Sequence, residues 1–245
     1  MFHFKHFSLY HENSALKIST DAVLLAAVTP VDQAQRVLDI GCGCGVIAYC
    51  LAWKMIKNAV DQKNNMANQE IIGIDTDADS IADALKSKEI FPKREYQDIH
   101  FYQQSIQKFS KDYTEKIDLI VSNPPYFVDS LKPNTPQKNI SKHNDTLPFE
   151  DLRDAVCQLL APNGRFFLIL PTTECERFEQ TSQNQLFKSY QLLIQPTPSK
   201  PVNRIITGYR LIPKEKGCIT ETLCLRNTDN SFSAAYRQLT EDLYL

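Results

Sequence analysis

Short apolar runs alternate with amphipathic segments along most of the chain. The apolar runs are bounded by polar or turn-forming residues, which is typical of buried strands. They are Arg36–Ile40, Glu70–Asp75, Ile99–Gln103, Lys116–Ser122 and Arg165–Leu170. Segments with helical spacing separate or follow them, namely Val46–Lys57, Asp77–Lys88, Phe149–Leu160 and Thr173–Gln183. This alternation predicts a doubly wound, mostly parallel α/β sheet with a ligand at the carboxyl ends of its first, second and fourth strands.

The last part of the chain has strand patterns without helical patterns between them. The segments are Ser189–Gln195, Asn203–Leu211 and Ile219–Leu225. Strands joined by short loops pair antiparallel, so we expect the sheet to end in antiparallel strands. Pro162-Asn163-Gly164 predicts a turn between the helix at Phe149–Leu160 and the strand at Arg165–Leu170.

A glycine turn follows the first predicted strand. Asp39-Ile40-Gly41-Cys42-Gly43-Cys44-Gly45 leads directly into the predicted helix at Val46, which is the layout of a nucleotide-binding βα unit. The glycines are spaced G-x-G-x-G, which differs from the G-x-G-x-x-G of dinucleotide-binding proteins. Asp39, two residues before Gly41, suits a cofactor with a cationic ammonium group. S-adenosylmethionine carries such a group. Asp75 ends the second strand, where a carboxylate can accept hydrogen bonds from both hydroxyls of a ribose.

Asn123-Pro124-Pro125-Tyr126 follows the fourth predicted strand. The prolines fix φ and remove two backbone donors, so the asparagine carboxamide and the first carbonyls can be held as paired acceptors. Paired acceptors beside an aromatic face suit a flat, amine-bearing substrate such as a nucleobase. The alternative is a rigid turn with no chemical role.

The segment before the first strand carries too many apolar side chains for a solvated tail. Phe2, Phe4, Phe7, Leu9 and Tyr10 predict a segment that covers part of the fold. Ser19, Thr20 and Asp21 then form an N-cap cluster for an apolar helix from Ala22 to Val28. The amides at the start of this helix either bind the cofactor's carboxylate or simply pack on the sheet edge.

Bulk properties favour an intracellular enzyme. The chain has 245 residues, enough for one α/β domain, and lacks a signal-like or membrane-spanning apolar run. Seven cysteines fit reduced thiols in the cytoplasm, and the Cys42/Cys44 pair has no second pair to complete a metal site, so we expect no metal. The net charge of −2 argues mildly against nucleic acid, but Lys132, Lys138, Lys142 and His143 cluster after the Asn-Pro-Pro-Tyr motif.

Taken together, these motifs resemble the class I S-adenosylmethionine-dependent methyltransferases, and within them the branch that methylates exocyclic or amide nitrogens. Three further segments resemble the bacterial tRNA(Val) adenine-N6 methyltransferases, which modify the adenine immediately 3′ to the anticodon. They are Phe4–Phe7, Lys17–Leu25 and Leu239–Leu245. The resemblance implies a single Rossmann-like domain over 1–245, with a cover segment and helix at 1–35. The core spans 36–171, and a helix with antiparallel strands spans 172–245.

The resemblance also implies residue roles. The expected catalytic residues are Asn123, Pro124, Pro125 and Tyr126. The expected cofactor-binding residues are Asp39, Gly41, Gly43, Gly45, Asp75, Ser105, Thr20 and Asp21. The expected substrate contacts are Lys5, Phe7, Lys142 and His143. Ser105 is included because Gln103-Gln104-Ser105 stands where many relatives carry an aspartate that accepts from the cofactor's adenine amine.

The expected function is therefore N6-methylation of adenine 37 in valine tRNA, with tRNA as partner and no membrane association. Alternatives with the same chemistry are methylation of a glutamine amide in a release factor or of guanine N2 in ribosomal RNA. The release-factor enzymes usually have an N-terminal helical domain, whereas only about 35 residues precede the first strand here. A catalytically silent, cofactor-binding RNA chaperone is the non-enzymatic alternative, and a nicotinamide dehydrogenase fits the glycine spacing least.

Overall fold

The computed structural model describes residues 1–62, 69–92, 97–125, 147–215 and 217–244. The strands are β1 (Phe2–His3), β2 (Ser8–Leu9), β3 (Arg36–Ile40), β4 (Gln69–Asp75), β5 (Gln97–Gln103), β6 (Ile117–Ser122), β7 (Leu160–Pro171), β8 (Phe187–Gln195), β9 (Arg204–Arg210) and β10 (Ile219–Cys224). The helices are α1 (Thr20–Val28), α2 (Val46–Gln62), α3 (Ala78–Ile90), α4 (Ile106–Asp112), α5 (Phe149–Leu159), α6 (Thr172–Thr181) and α7 (Ala234–Thr240).

Within the described residues, eight strands form the central sheet in the order β10-β8-β9-β7-β6-β3-β4-β5. Strands β5, β4, β3, β6 and β7 pair parallel, and β9 pairs antiparallel with both β7 and β8. The predicted doubly wound sheet with reversed strands near its C-terminal end is therefore confirmed. One aspect of the prediction was wrong: β10 pairs parallel with β8. Both edges of β9 are occupied by β7 and β8, so β10, which runs opposite to β9, adds to the free edge of β8 and therefore runs in the same direction as β8.

The sheet separates two apolar clusters. One contains α1, α2, α3 and the N-terminal segment, and the other contains α4, α5 and α6. The predicted turn at Pro162-Asn163-Gly164 lies inside β7, where three extra residues interrupt its register with β6. Sequence reasoning did not predict α4 or α7.

The N-terminal segment packs on the side of the sheet that carries α2 and α3. Phe4, Phe7 and Leu9 are buried, and β1 and β2 form a small antiparallel hairpin. Helix α1 begins at Thr20, and the Ser19 hydroxyl caps it by accepting from the Ala22 amide. This part of the chain therefore belongs to the core.

Candidate active site

The glycine turn after β3 is a backbone cradle. Gly41, Gly43 and Gly45 have φ values of 71°, 54° and 82°, in the left-handed region that favours glycine. A Cβ at Gly41 or Gly43 would meet no atom within 4 Å, whereas one at Gly45 would lie 2.8 Å from the Phe101 ring. The first two glycines thus border open space, and the third allows close packing on β5.

Asp39 lies beneath this turn and is fully buried. Its Oδ2 accepts from the Ala48 amide at 3.0 Å, while its Oδ1 is buried without a hydrogen-bond partner. Burial raises the pKa of the carboxyl to about 7, the Ala48 amide opposes this rise, and the charge of Asp75 adds to it. A buried carboxylate oxygen with no donor is a candidate acceptor for a bound cation.

Asp75 braces the same turn from the end of β4. Its Oδ2 accepts from the Gly43 amide at 2.7 Å, and its Oδ1 accepts from the Asp77 amide at 2.9 Å. The Gly41 and Cys42 amides donate to the Ile74 carbonyl at 2.9 and 3.0 Å. Because each carboxylate oxygen can accept more than one hydrogen bond, the half-buried Asp75 retains capacity for a ligand hydroxyl.

The Asn-Pro-Pro motif leaves the sheet beside the glycine turn. Strands β3 and β6 are direct parallel neighbours, with Ile40 opposite Ser122. The Ser122 hydroxyl donates to the Ile40 carbonyl at 2.9 Å, so the ends of the two strands are fixed together. Asn123 is half-buried, Pro124 is buried and Pro125 is exposed. Sequence reasoning missed the contribution of Ser122, because a serine that ends a strand carries no distinctive signal.

The helix start predicted to contact the cofactor lies at the same edge of the sheet. Asp21 pairs with Arg204, whose Nε is 2.8 Å from Oδ2, and Arg204 opens β9 opposite Pro171 at the end of β7. Thr20 is exposed at the start of α1. Ser105 follows β5 and caps α4 by accepting from the Lys108 amide at 3.3 Å. The roles of Thr20, Asp21 and Ser105 in cofactor binding stay predictions.

The predicted substrate contacts of the N-terminal segment have packing roles. The Lys5 amide donates to the Leu243 carbonyl and its Nζ to the Glu241 carbonyl. Phe7 is buried and stacks on Phe4, with ring centroids 4.7 Å apart. These contacts account for both residues as parts of the cover, and their contact with substrate stays a prediction. Tyr126, Lys132, Lys138, Lys142 and His143 lie outside the described residues.

The two cysteines of the turn are buried thiols. Burial raises the pKa of Cys42 well above its usual range and that of Cys44 to about 11, which disfavours the thiolate that a metal would need. Within the described ranges, no group of three or more His, Cys, Asp or Glu side chains is arranged to hold a metal ion. The same ranges contain no helix long and apolar enough to cross a membrane.

The sheet order and the turn after its first parallel strand define a class I methyltransferase, whose cofactor is S-adenosylmethionine. A model of the methyltransferase domain matches residues 31–215. Similarity to one solved structure, a predicted O-methyltransferase from Agrobacterium tumefaciens, covers 91% of this chain and 96% of that one. Its TM-score is 0.67 and its sequence identity 17%, which supports the fold alone.

Full-length relatives narrow the class. The chain is 34% identical over 250 residues to the tRNA1(Val) (adenine(37)-N6)-methyltransferase of Bacteroides fragilis, covering 100% of this chain and 97% of the relative. It is 33% identical over 245 residues to the protein of the same name from Pseudoalteromonas translucida, covering 100% of this chain and 98% of the relative. The chain therefore belongs to the tRNA1(Val) (adenine(37)-N6)-methyltransferase family.

Proposed function

We propose that this protein transfers a methyl group from S-adenosylmethionine to N6 of an adenine in tRNA, at position 37 of valine tRNA. The single observation that carries the chemistry is the juxtaposition of Asn123-Pro124 with the glycine turn across the β3–β6 pair. Family membership over the full chain supports the choice of acceptor. The proposal places the protein in the cytoplasm, where it would meet tRNA.

The site residues fit this cofactor. The unpartnered Oδ1 of Asp39 is a buried acceptor suited to the ammonium of the methionine portion. The open faces of Gly41 and Gly43 allow a ligand to approach the backbone closely. Asp75 at the end of β4 suits the ribose hydroxyls. When bound, the cofactor supplies a sulfonium methyl group that is already reactive toward a nucleophile.

The protein's own contribution is positioning and hydrogen bonding. The Asn123 carboxamide oxygen and the Pro124 carbonyl would accept from the two N–H groups of the adenine amine. These hydrogen bonds draw the nitrogen toward tetrahedral geometry and free its lone pair from the ring. The lone pair would form the new N–C bond as the carbon–sulfur bond breaks and its electrons return to sulfur, and the nitrogen would then lose one of its two protons to solvent. Holding the two reactants in line is worth several kcal/mol of barrier. In this proposal Tyr126 stacks on the base, which contributes roughly 1–3 kcal/mol.

The base must leave its stack to reach Asn123. Unstacking costs a few kcal/mol, and the cost is least for a nucleotide that is already unpaired. Position 37 lies in the single-stranded anticodon loop, so moving the proposed acceptor base into the pocket costs little free energy. Lys142 and His143 follow the motif in sequence and are the proposed contacts to RNA phosphates.

An Asn123→Ala substitution tests the assignment of the catalytic motif. We expect methyl transfer to tRNA to fall about 100-fold or more, because both reactants still bind but the amine loses one of its two proposed acceptors. Cofactor affinity, measured by calorimetry, should stay near wild type. Asn163→Ala is the matched control, since this exposed asparagine also lies beside a proline but sits among the extra residues near the start of β7. Loss of cofactor binding in Asn123→Ala would contradict the catalytic role.

The choice of acceptor needs a separate experiment. Methyl transfer from labelled cofactor should be compared on valine tRNA, on the same tRNA with adenine 37 replaced by guanine, on a release factor and on ribosomal RNA. Labelling confined to N6 of adenine 37 supports the proposal. Labelling of a glutamine amide or of guanine N2 would replace it, and RNA binding without any transfer would indicate the non-enzymatic alternative.

A further inference from the structure

The segment that joins β2 to α1 is held in place by buried polar contacts. We call residues 11–19 the strap. Just before it, the Tyr10 amide donates to the Ser87 hydroxyl at 2.8 Å. At its other end, Ser19 caps α1. The strap thus runs from α3 to α1, two helices that lie on the same side of the sheet.

Asp83 on α3 is the main anchor of the strap. The side chain is buried, with 1% of the residue exposed. Its Oδ2 accepts from the Asn13 amide at 2.8 Å, from the Ser14 amide at 2.9 Å and from the Ser14 hydroxyl at 2.9 Å. Its Oδ1 accepts from Asn13 Nδ2 at 3.0 Å. One carboxylate therefore fixes two consecutive strap residues through four hydrogen bonds, which is far more than a surface ion pair provides.

The strap is also braced internally. Lys17 Nζ donates to the His11 carbonyl at 2.9 Å and to the Glu12 carbonyl at 2.7 Å, which closes the segment on itself. Lys17 and Leu16 are exposed, so the strap presents one side to solvent.

The anchored part of the strap lies against the glycine turn. Burial raises the pKa of the Cys44 thiol to about 11, the charge of Asp83 adds to the rise, and a hydrogen bond with the Ser14 hydroxyl opposes it. Ser14 and Cys44 are both buried, with 3% and 2% of each residue exposed. Ser14 therefore contacts both Asp83 on α3 and Cys44, which stands between Gly43 and Gly45 in the glycine turn.

We propose that the strap forms a wall of the cofactor site and that Asp83 is the positioning residue that holds it there. The inference rests on the cofactor of the proposed function but not on its acceptor. Asp83 does not touch the cofactor in this proposal; it acts through Asn13 and Ser14. Without its carboxylate, the backbone amides of Asn13 and Ser14 lose their acceptor and must bond to water instead, which draws this part of the strap away from α3. Only a fraction of the molecules then has the strap in the position that binds the cofactor. The apparent affinity equals the intrinsic affinity multiplied by that fraction.

The test compares Asp83→Ala with wild type in two measurements on the full chain. Binding of S-adenosylhomocysteine, measured by calorimetry, should weaken about tenfold or more. Limited trypsin digestion should cut the Lys17–Ile18 bond faster in the variant, and the ligand should slow this cut in wild type. Asp83→Asn should restore most of both properties. Its carbonyl oxygen can still accept the backbone amides, and the Asn13 carboxamide can rotate to accept from the new amide group.

Asp118→Ala is the matched control. Asp118 Oδ2 also accepts from two consecutive backbone amides, those of Gln35 and Arg36 at 2.9 Å each, but at the amino end of β3. We expect this variant to lose thermal stability while keeping wild-type ligand affinity and wild-type cleavage at Lys17. Equal weakening of binding in Asp118→Ala and Asp83→Ala would overturn the inference, since the effect would then be general destabilisation.

Two further outcomes decide the inference. Wild-type affinity and cleavage rate in a folded Asp83→Ala protein would overturn it. If that variant does not fold, Asn13→Ala replaces it, because it removes one of the four hydrogen bonds from an exposed side chain; wild-type values there would overturn the inference equally. Failure of the protein to methylate tRNA, with the expected changes in ligand binding, would refute the proposed acceptor and leave the role of Asp83 supported.

Discussion

Cofactor affinity should weaken as the pH falls, because of Asp39. Burial raises the pKa of this carboxyl to about 7, and its Oδ1 has no partner in the fold. In the proposed complex this oxygen faces an ammonium group, which binds the ionised carboxylate and not the neutral acid. Binding therefore requires that Asp39 lose its proton.

The magnitude follows from the pKa. With a pKa of about 7, the ionised fraction falls from about one half at pH 7 to about 3% at pH 5.5. Apparent affinity falls in proportion, roughly fifteenfold over this interval. The cofactor's own amine stays protonated there, since an α-amino group titrates near pH 8 or above. At pH 5.5, binding of the ligand should release close to one proton per molecule bound.

Acidification should have the opposite effect on the stability of the ligand-free fold, through the same carboxyl. Its folded pKa lies above its unfolded value, so it favours the folded state below about pH 4, and this contribution is lost as the pH rises through about 7. The difference of about three units corresponds to on the order of 4 kcal/mol at most. The ligand-free protein should therefore gain stability on acidification from pH 7.5 toward pH 5, until other groups titrate.

Calorimetry with S-adenosylhomocysteine checks this reasoning. Titrations at several pH values, in pairs of buffers with different ionisation enthalpies, report both affinity and released protons. Asp39→Asn is the control: it should bind weakly at every pH, release no proton and unfold less readily than wild type at pH 7.5. A wild-type affinity that does not change between pH 5.5 and 7 would refute the assignment of Asp39 as the ammonium acceptor.

Three substitutions separate the roles of neighbouring parts of the fold. Gly43→Ala should cost only about 1 kcal/mol of stability, from its left-handed φ, yet weaken ligand binding strongly because the new Cβ enters the open face of the cradle. Gly45→Ala should instead lower the thermal midpoint by several degrees, because its Cβ would meet the Phe101 ring at 2.8 Å; a fully stable variant would contradict this packing. Lys54→Met should lower the free energy of unfolding, measured by chemical denaturation, by about 1–3 kcal/mol. The reason is that Lys54 Nζ donates to the carbonyls of Ala26 and Ala27 at the end of α1 and to that of Thr29. An unchanged denaturation midpoint would argue against this cap.

The central strands were predictable because they are buried on both faces. Apolar runs such as Ile117–Ser122 need no partner to be recognised, and glycine and proline mark where they end. The glycine turn and Asn123 could be predicted for a different reason, since ordinary packing does not require residues of these types in such an arrangement. Helix α4 was missed because it has only seven residues, and Ser105 reads as its cap only once the helix is known.

Other features depend on contacts between distant parts of the chain. The partner of β10 depends on which edges are free, and β9 has none. The hydrogen bond from the Asn13 amide to Asp83 joins residues 70 positions apart, and neither residue stands out in the sequence. The raised pKa of Asp39 results from burial under the turn, so the motif indicates its position but not its ionisation.

The hydrogen bond from Ser122 to Ile40 has a consequence for how this fold can change its substrate. In the proposed function, the methyl donor binds at the end of β3 and the acceptor at the end of β6, and adjacent strands lie about 4.8 Å apart in any sheet. The relative position of the two proposed sites would thus be set by the sheet and not by the segments that select the acceptor. Those segments can diverge, or be exchanged between enzymes, without retuning the transfer step. One sheet can in this way serve as a common reaction frame for acceptors as different as a nucleobase and a protein amide.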